Sequence, residues 1–464
     1  MRLPSISIAL IIGMSTLAGC SEEAPLTSTS DSNAPENSGQ NSGSDTTTDS
    51  GSSDSEEVTP EPTSGIILVF GPEVTAHLQA TLEGHIQSVT TREIVTISSD
   101  TSIPPATEDS LILSFGTTPI AAELLADFSL ETARAEAIRI HSGTYENTPA
   151  IAAHGAPGRS TPDNVNIGLA YASWSLLEEL GFAFLHPLEP TIPDALPTTI
   201  PAIDIDESPY WPIRGIQIHT MHPIELCDVL NGWGPGGHDD EQGFLDILPE
   251  WDTYLQWLVA NKQNYVHWPL LWAESWSEFA DGDARIERLS KLVDMAHHYG
   301  IRVGVDVPMV LHQQNAFRLL REFGELEAEQ NEIRARINYL MGAGFDYLAA
   351  ESGTSEFTNP GGERMLAWMD IFATHLDEEW GAESFIKNHI TADQVAEGYP
   401  DPDTGEAINF NLLTYYADSR LGVMPHTVQH YALDDPAPTY GNDDFSHTHR
   451  YIQLEAGRRQ VVWH

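Results

Sequence analysis

Positive charge is scarce in this chain of 464 residues: Lys and Arg total 21 against 69 Asp and Glu, for a formal net charge of −48. A surface of that sign repels phosphate backbones and anionic headgroups, which excludes nucleic acid as a partner. It suits solubility in a salty habitat, and it would also draw a cationic partner. Cysteine is nearly absent, with only Cys20 and Cys227. If Cys20 is engaged elsewhere, no internal disulfide can form and the core must hold the fold. Long apolar runs are missing too. The stretch from Ile6 to Leu17 is well short of the roughly 20 residues a bilayer-spanning helix needs. No Gly-rich loop lies between a strand and a helix, so nothing calls for a nucleotide, and no cofactor is expected.

What is present starts at the first residue. A basic Met1-Arg2, the apolar run to Leu17 and then Leu17-Ala18-Gly19-Cys20 read as an export signal over residues 1–20. The tetrapeptide resembles the bacterial lipobox, whose cysteine is acylated and becomes the first mature residue. That resemblance implies Cys20 as a lipidation site and a membrane anchored through its lipid. Ser21 in place of Asp implies the outer membrane, or the periplasmic or cell surface, of a Gram-negative bacterium. Residues 21–64 are Ser, Thr, Asp, Gly, Asn, Glu and Pro with almost nothing apolar. Such a segment cannot offset its ordering entropy, so it reads as a disordered tether.

Folded sequence begins at Gly65. Strand-like runs at 66–70, 94–97, 111–115, 137–141 and 150–154, with a helix-like stretch from Pro72, predict a small mixed α/β domain over 65–205. Its last helix shows Leu169, Ala172, Leu176, Leu177 and Leu180 at helical spacing and Gly181 as its cap. A Pro-rich hinge then leads into a second domain, 206–464, where strands and amphipathic helices alternate. Strands are expected at 214–219, 264–271, 300–306, 345–350, 384–390, 422–428 and 460–463, and helices at 251–262, 286–299, 317–341 and around 365–376. Repeated βα units with strands this apolar predict a (β/α)8-type TIM barrel. Seven strands can be counted, so either one is hidden or the barrel is incomplete at its C-terminus.

The segment Gly168 to Pro187 carries a Gly-x-x-Tyr helix, Leu176-Leu-Glu-Glu-Leu-Gly181 and an aromatic-rich run ending in proline. Arg214-Gly215 leads into the first barrel strand, and Lys262-Gln-Asn264 into the second. Together these resemble the small N-terminal domain plus TIM barrel of family 20 β-hexosaminidases and family 67 α-glucuronidases, over roughly residues 65–390. The resemblance implies a glycosidase. Hexosaminidases end the fourth strand in Gly-Gly-Asp-Glu with the Glu as proton donor; here Glu351 matches that Glu, and Ala350 stands at the Asp.

The residues themselves point the same way. Gly344-Phe-Asp-Tyr-Leu-Ala-Ala-Glu351 puts a carboxylate at the carboxyl end of a barrel strand, where βα-barrels keep their active sites. Glycosidic cleavage needs an acid for the leaving oxygen and a second carboxylate as base or nucleophile. Glu351 is the expected acid, with burial raising its pKa; a carboxylate there can also pair with an arginine or cap the next helix. Asp306, Glu274 and Glu356 are the candidates for the second. Trp268, Trp272 and Trp276 follow the second strand, where tryptophans either stack on sugars or fill the core. Arg214, His219, His222, His389 and His426 are further candidates for contacts with a carbohydrate substrate. His219, His222 and Glu225 could alternatively ligate zinc, although a proline interrupts their spacing. Three readings stay open: a glycoside hydrolase, a non-catalytic carbohydrate-binding lipoprotein, and a metal-dependent hydrolase.

Overall fold

Strand β1 (Ile66–Phe70) is buried along its whole length, and so is β3 (Leu111–Phe115), as the unbroken apolar runs predict for a sheet covered on both faces. With β2 (Ile94–Ser98), β4 (Ile138–Tyr145), β5 (Thr148–Gly155) and β6 (Asp204–Glu207) they form a sheet in the order β2-β1-β3-β5-β4-β6. The first four of these positions are parallel, and β4 runs antiparallel to both of its neighbours. The structure, a computed structural model, describes residues 65–99, 101–105, 109–159, 161–220, 226–310, 315–351, 360–389, 394–426, 434–437 and 443–464.

The helix Ile167–Glu179 joins this sheet to the barrel. Asn166 caps it, accepting from the Leu169 amide at 3.1 Å and donating to the Gly155 carbonyl at 2.8 Å. Eleven of its residues, Ile167 to Leu177, are buried, so it is covered on every side. Close approach makes that possible: a Cβ on Gly155 would meet the Gly168 carbonyl carbon at 2.0 Å, and one on Gly168 the Ala156 oxygen at 2.1 Å.

Beyond it lies a second sheet. Strands β7 (Gly215–Gln217), β8 (Tyr265–Pro269), β9 (Arg302–Asp306), β10 (Tyr347–Glu351) and β11 (Glu383–His389) follow one another side by side, all parallel. A small hairpin, β12 (Val395–Pro400) with β13 (Ala407–Asn409), intervenes before β14 (Leu421–His426) pairs parallel to β11. The last residues add a seventh stave: Val461 bridges Val423 in parallel, and the His464 amide bonds the Pro425 carbonyl at 3.1 Å. Sequential parallel strands separated by helices make this a TIM-barrel sheet, curled and incomplete among the described residues.

Alternation along the strands sorts the side chains. Val266, Trp268, Val303, Val305, Leu348, Ala350, Ile386 and Val423 face the surrounding helices and join the main apolar cluster. Tyr265, Tyr347, Ala349, Phe385 and Met424, with Val462, fill the barrel interior. The expected helices appear as Leu248–Ala260, Asp283–His297, Leu326–Met341 and Gly362–His375. The stretch from Phe317 to Glu325 is not helical, against expectation. Its apolar residues pair with strand ends instead: the Phe317 amide bonds Leu270 O at 2.7 Å, Leu319 bonds Pro308 O at 3.0 Å and Leu320 bonds Met309 O at 2.8 Å. Strands β6, β12 and β13 were not expected; they are short or polar, with little apolar pattern to read. No helix among the described residues is long and apolar enough to cross a membrane.

Candidate active site

Register brings three charged side chains together at the carboxyl ends of β9, β10 and β11. Asp306 ends β9 opposite Ala349, and Glu351 ends β10 opposite Lys387. All three point inward by the two-residue alternation that places Tyr347 and Phe385 in the interior. Lys387 Nζ lies 2.6 Å from Asp306 Oδ2 and 3.6 Å from Glu351 Oε2. Gln217, ending β7, donates to the same Asp306 oxygen at 2.8 Å. Exposure is 2% for Asp306, 7% for Lys387 and 8% for Glu351, so Glu351 is the most open of the three. The two carboxylate oxygens both approach one nitrogen, so their separation is at most the two legs laid end to end. That is about 6 Å, below the roughly 6.5–9.5 Å of an inverting pair.

The electrostatics follow from burial. Burial raises the Asp306 pKa; Lys387 opposes this and the charge of Glu351 adds to it. Burial works against the Lys387 ammonium, but Asp306 and Glu351 outweigh it and hold the lysine above its usual range. A lysine held so firmly cationic is a poor carbonyl nucleophile, which argues against Schiff-base chemistry here.

One layer deeper, His267 Nδ1 lies 3.0 Å from the Tyr347 hydroxyl, whose own proton goes to the Val266 carbonyl at 3.1 Å. The phenol therefore accepts, and His267 carries its proton on Nδ1. Burial, helped by Lys387, pushes the His267 pKa down to about 3, so the ring stays neutral. Among the described residues, its Nε2 and Asp306 Oδ1 are buried acceptors with no hydrogen-bond partner. Two such acceptors beside one ion cluster are unusual, because buried polar atoms are nearly always paired.

The other expected residues scatter. Trp268 is 0% exposed; it neighbours inward His267 in the strand, so it faces outward, packed against Trp251 and Phe345 with its indole N–H on Leu230 O at 2.7 Å. It is a core residue, not a sugar platform. Arg214 is corrected likewise, because it precedes β7 and so sits at the amino ends of the strands. There it binds the Glu136 carboxylate, the Tyr171 hydroxyl at 3.1 Å and the Lys262 carbonyl at 2.7 Å. Trp272 lies beneath the Arg321 guanidinium, 3.8 Å from its ring centre, and donates to Asp281 at 3.0 Å. Glu274 opens a short 3-10 turn, Glu274–Trp276, with its side chain exposed.

His219, exposed just past β7, acts electrostatically on Asp306. His426 ends β14, 2.9 Å from His464 Nδ1 through its own Nδ1. His389 ends β11 in register with His426. Cys20, His222, Glu225 and Glu356 lie outside the described residues. Among the described residues, no group of three His, Cys, Asp or Glu is placed to hold a metal.

Lys387, Gln217 and His267 were not expected. Lys387 had a visible signal, a charge inside the run Ser384-Phe-Ile-Lys387-Asn-His389.

No protein-family model matches the chain, and neither does any curated protein. Among solved structures it is similar to the GH20 β-N-acetylhexosaminidase from Streptomyces coelicolor A3(2), with a TM-score of 0.50 and 11% identity over 87% of this chain and 71% of that one. A GH138 enzyme targeting pectin rhamnogalacturonan II matches at a TM-score of 0.44 and 12% identity, over 77% of this chain and 37% of that one. CpGH84B matches at 0.46 and 12%, over 88% and 59%. At such identities the likeness is one of fold alone.

Proposed function

We propose that this protein is a glycoside hydrolase acting on an oligo- or polysaccharide, with Glu351 as proton donor and Asp306 as the second carboxylate. One observation carries the reading: two buried carboxylates on adjacent strand ends share a single lysine, at the end of the barrel where such enzymes do chemistry. Counted over these three side chains alone, two carboxylates and one ammonium carry one negative charge. Burial favours the neutral form, which the cluster reaches by taking up one proton on a carboxylate. Donors from Lys387 and Gln217 on Asp306 Oδ2 favour its ionised form against its burial, which leaves the proton to Glu351, the more exposed, and Glu351 would hand it to the leaving oxygen. Asp306, steadied by Lys387 and Gln217, would then meet the positive charge developing at the anomeric carbon. A separation of at most about 6 Å suits the double displacement of a retaining enzyme, whose carboxyls stand about 5–5.5 Å apart.

The test is hydrolysis of aryl glycosides of neutral, amino and uronic sugars by the parent and by Glu351→Gln, with the anomer released followed by NMR. Turnover lost in the variant and retention of configuration are expected. Turnover equal in the two proteins would remove Glu351 from the mechanism.

The lysine also favours a second reading. An ammonium touching both carboxylates can hold them ionised, leaving a carbohydrate-binding barrel that does no chemistry. Saccharide binding without turnover in the parent protein would select it.

Export and lipid attachment at Cys20, with residence at the outer membrane or cell surface, belong to the same proposal and rest on residues 1–20 alone. Labelled palmitate should enter the chain in a Gram-negative host, and Cys20→Ala should abolish the labelling.

A further inference from the structure

The loop after β9 holds a cation that the carboxylate–lysine cluster does not use. Arg318 is only 8% exposed. Among the described residues its guanidinium nevertheless makes no side-chain hydrogen bond or ion pair. Glu332, the acid that acts on it, is already taken, and so is Asp281 beside Arg321. Asp281 receives Arg321 at 2.5 and 2.8 Å and stands 3.9 Å from Arg336. Glu332 receives Arg336 at 3.0 Å and the Arg321 amide at 3.1 Å. Three guanidiniums thus meet two carboxylates, in a chain where acids outnumber bases more than threefold.

The imbalance acts on Arg318. Burial, then the charges of Arg321 and Arg336, pull its pKa below the usual arginine value, and Glu332 opposes them. Repulsion from these two neighbouring cations, only partly offset by Glu332, favours something negative beside Arg318. Its position is informative too. The Leu319 and Leu320 amides bond to Pro308 and Met309, and the Met309 amide bonds the Glu351 carbonyl at 3.1 Å. Arg318 therefore stands on the same end of the barrel as the carboxylate cluster, one backbone layer beyond it.

We infer that Arg318 is an oxyanion-binding residue, taking a carboxylate or a sulfate ester from a ligand that lies against the loop following β9. The planar guanidinium fork matches either group through paired hydrogen bonds. That the anion is carried by a saccharide rests on the proposed function; the anion site itself does not.

The experiment is calorimetric binding at constant ionic strength, with glucuronate, glucose 6-sulfate and glucose as probes, on the parent and on Arg318→Gln. Both anionic probes, or one of them, should bind the parent more tightly than glucose. Arg318→Gln should weaken that binding about tenfold or more, the contribution of a charge-assisted hydrogen bond. Preference for the sulfate or for the carboxylate identifies the natural anion. Melting without any probe gives an independent readout. An anion receptor predicts that Arg318→Gln is as stable as the parent or more so, because an unbalanced charge has gone. A loss of stability, or glucose bound as well as the anions, overturns the proposal. Aryl-glycoside turnover is not the readout, so failure of the glycosidase reading and failure of this one are separable.

Discussion

Two buried ion clusters stand at opposite ends of the same parallel strands, and they are wired differently. In the cluster at the amino ends that reaches the α/β layer through Glu136, one arginine meets one carboxylate. Glu136 accepts from Arg214 on one oxygen and from Asn264 at 2.9 Å on the other. Arg214 directs three further donors to Lys262 O, Trp211 O and the Tyr171 hydroxyl. At the carboxyl ends, two carboxylates share one lysine, and among the described residues Asp306 Oδ1 and His267 Nε2 have no hydrogen-bond partner. A charge-balanced network in which both oxygens of the carboxylate are bonded ties the α/β layer to the barrel. An unbalanced network with bare acceptors is costly to the fold, and such costs persist where function requires them.

The largest effect that can test this contrast is catalytic. Glu351→Gln should lower kcat/KM on a cleavable glycoside by about 10²–10⁴-fold, the usual contribution of a general acid, while melting no lower than the parent. A drop in stability as large as the drop in rate would make the carboxyl-end cluster structural after all. Next is Glu136→Ala. Removing one partner of a buried, fully bonded pair should cost about 3–5 kcal/mol in urea unfolding, with kcat unchanged in the protein that remains folded. A loss under about 1 kcal/mol would erase the distinction between the two ends.

Acid should expose the third difference. His267 has a folded pKa of about 3, below its unfolded value, so the unfolded chain takes up a proton first. Its share of stability is complete above about pH 6.5 and is lost as pH falls from there towards 3. Denaturation midpoints across that window should flatten in His267→Gln. The smallest effect is a shift in pH dependence. Lys387→Met removes the cation that favours ionised carboxylates, so the acid limb of the rate profile should move upward by about one pH unit or more. An unmoved limb would separate Lys387 from the titrating carboxylates.

The barrel was legible because its strands are apolar and its helices periodic. The runs at 302–306 and 347–351 read as buried strands wherever they stand, and strands ending in Asp306 and Glu351 announce their carboxyl ends. Partnership was not legible in the same way. Trp268 and His267 are adjacent in sequence, and only the curvature of the sheet decides which faces the interior. Arg214 looks like a site residue until the strand direction puts it at the opposite end from Glu351.

The sequence by itself determined the order of strands and helices, the acidic surface and the presence of a carboxylate at the end of β10, because periodicity and composition are local properties. Tertiary structure alone chose Asp306 over Glu274 as the neighbour of Glu351, inserted Lys387 between the two carboxylates and, among the described residues, left Arg318 without one. Those facts depend on register between strands that are 45 and 36 residues apart from one end to the next, from Asp306 to Glu351 and from Glu351 to Lys387. No local pattern encodes the distance between side chains brought together by the closing of a sheet.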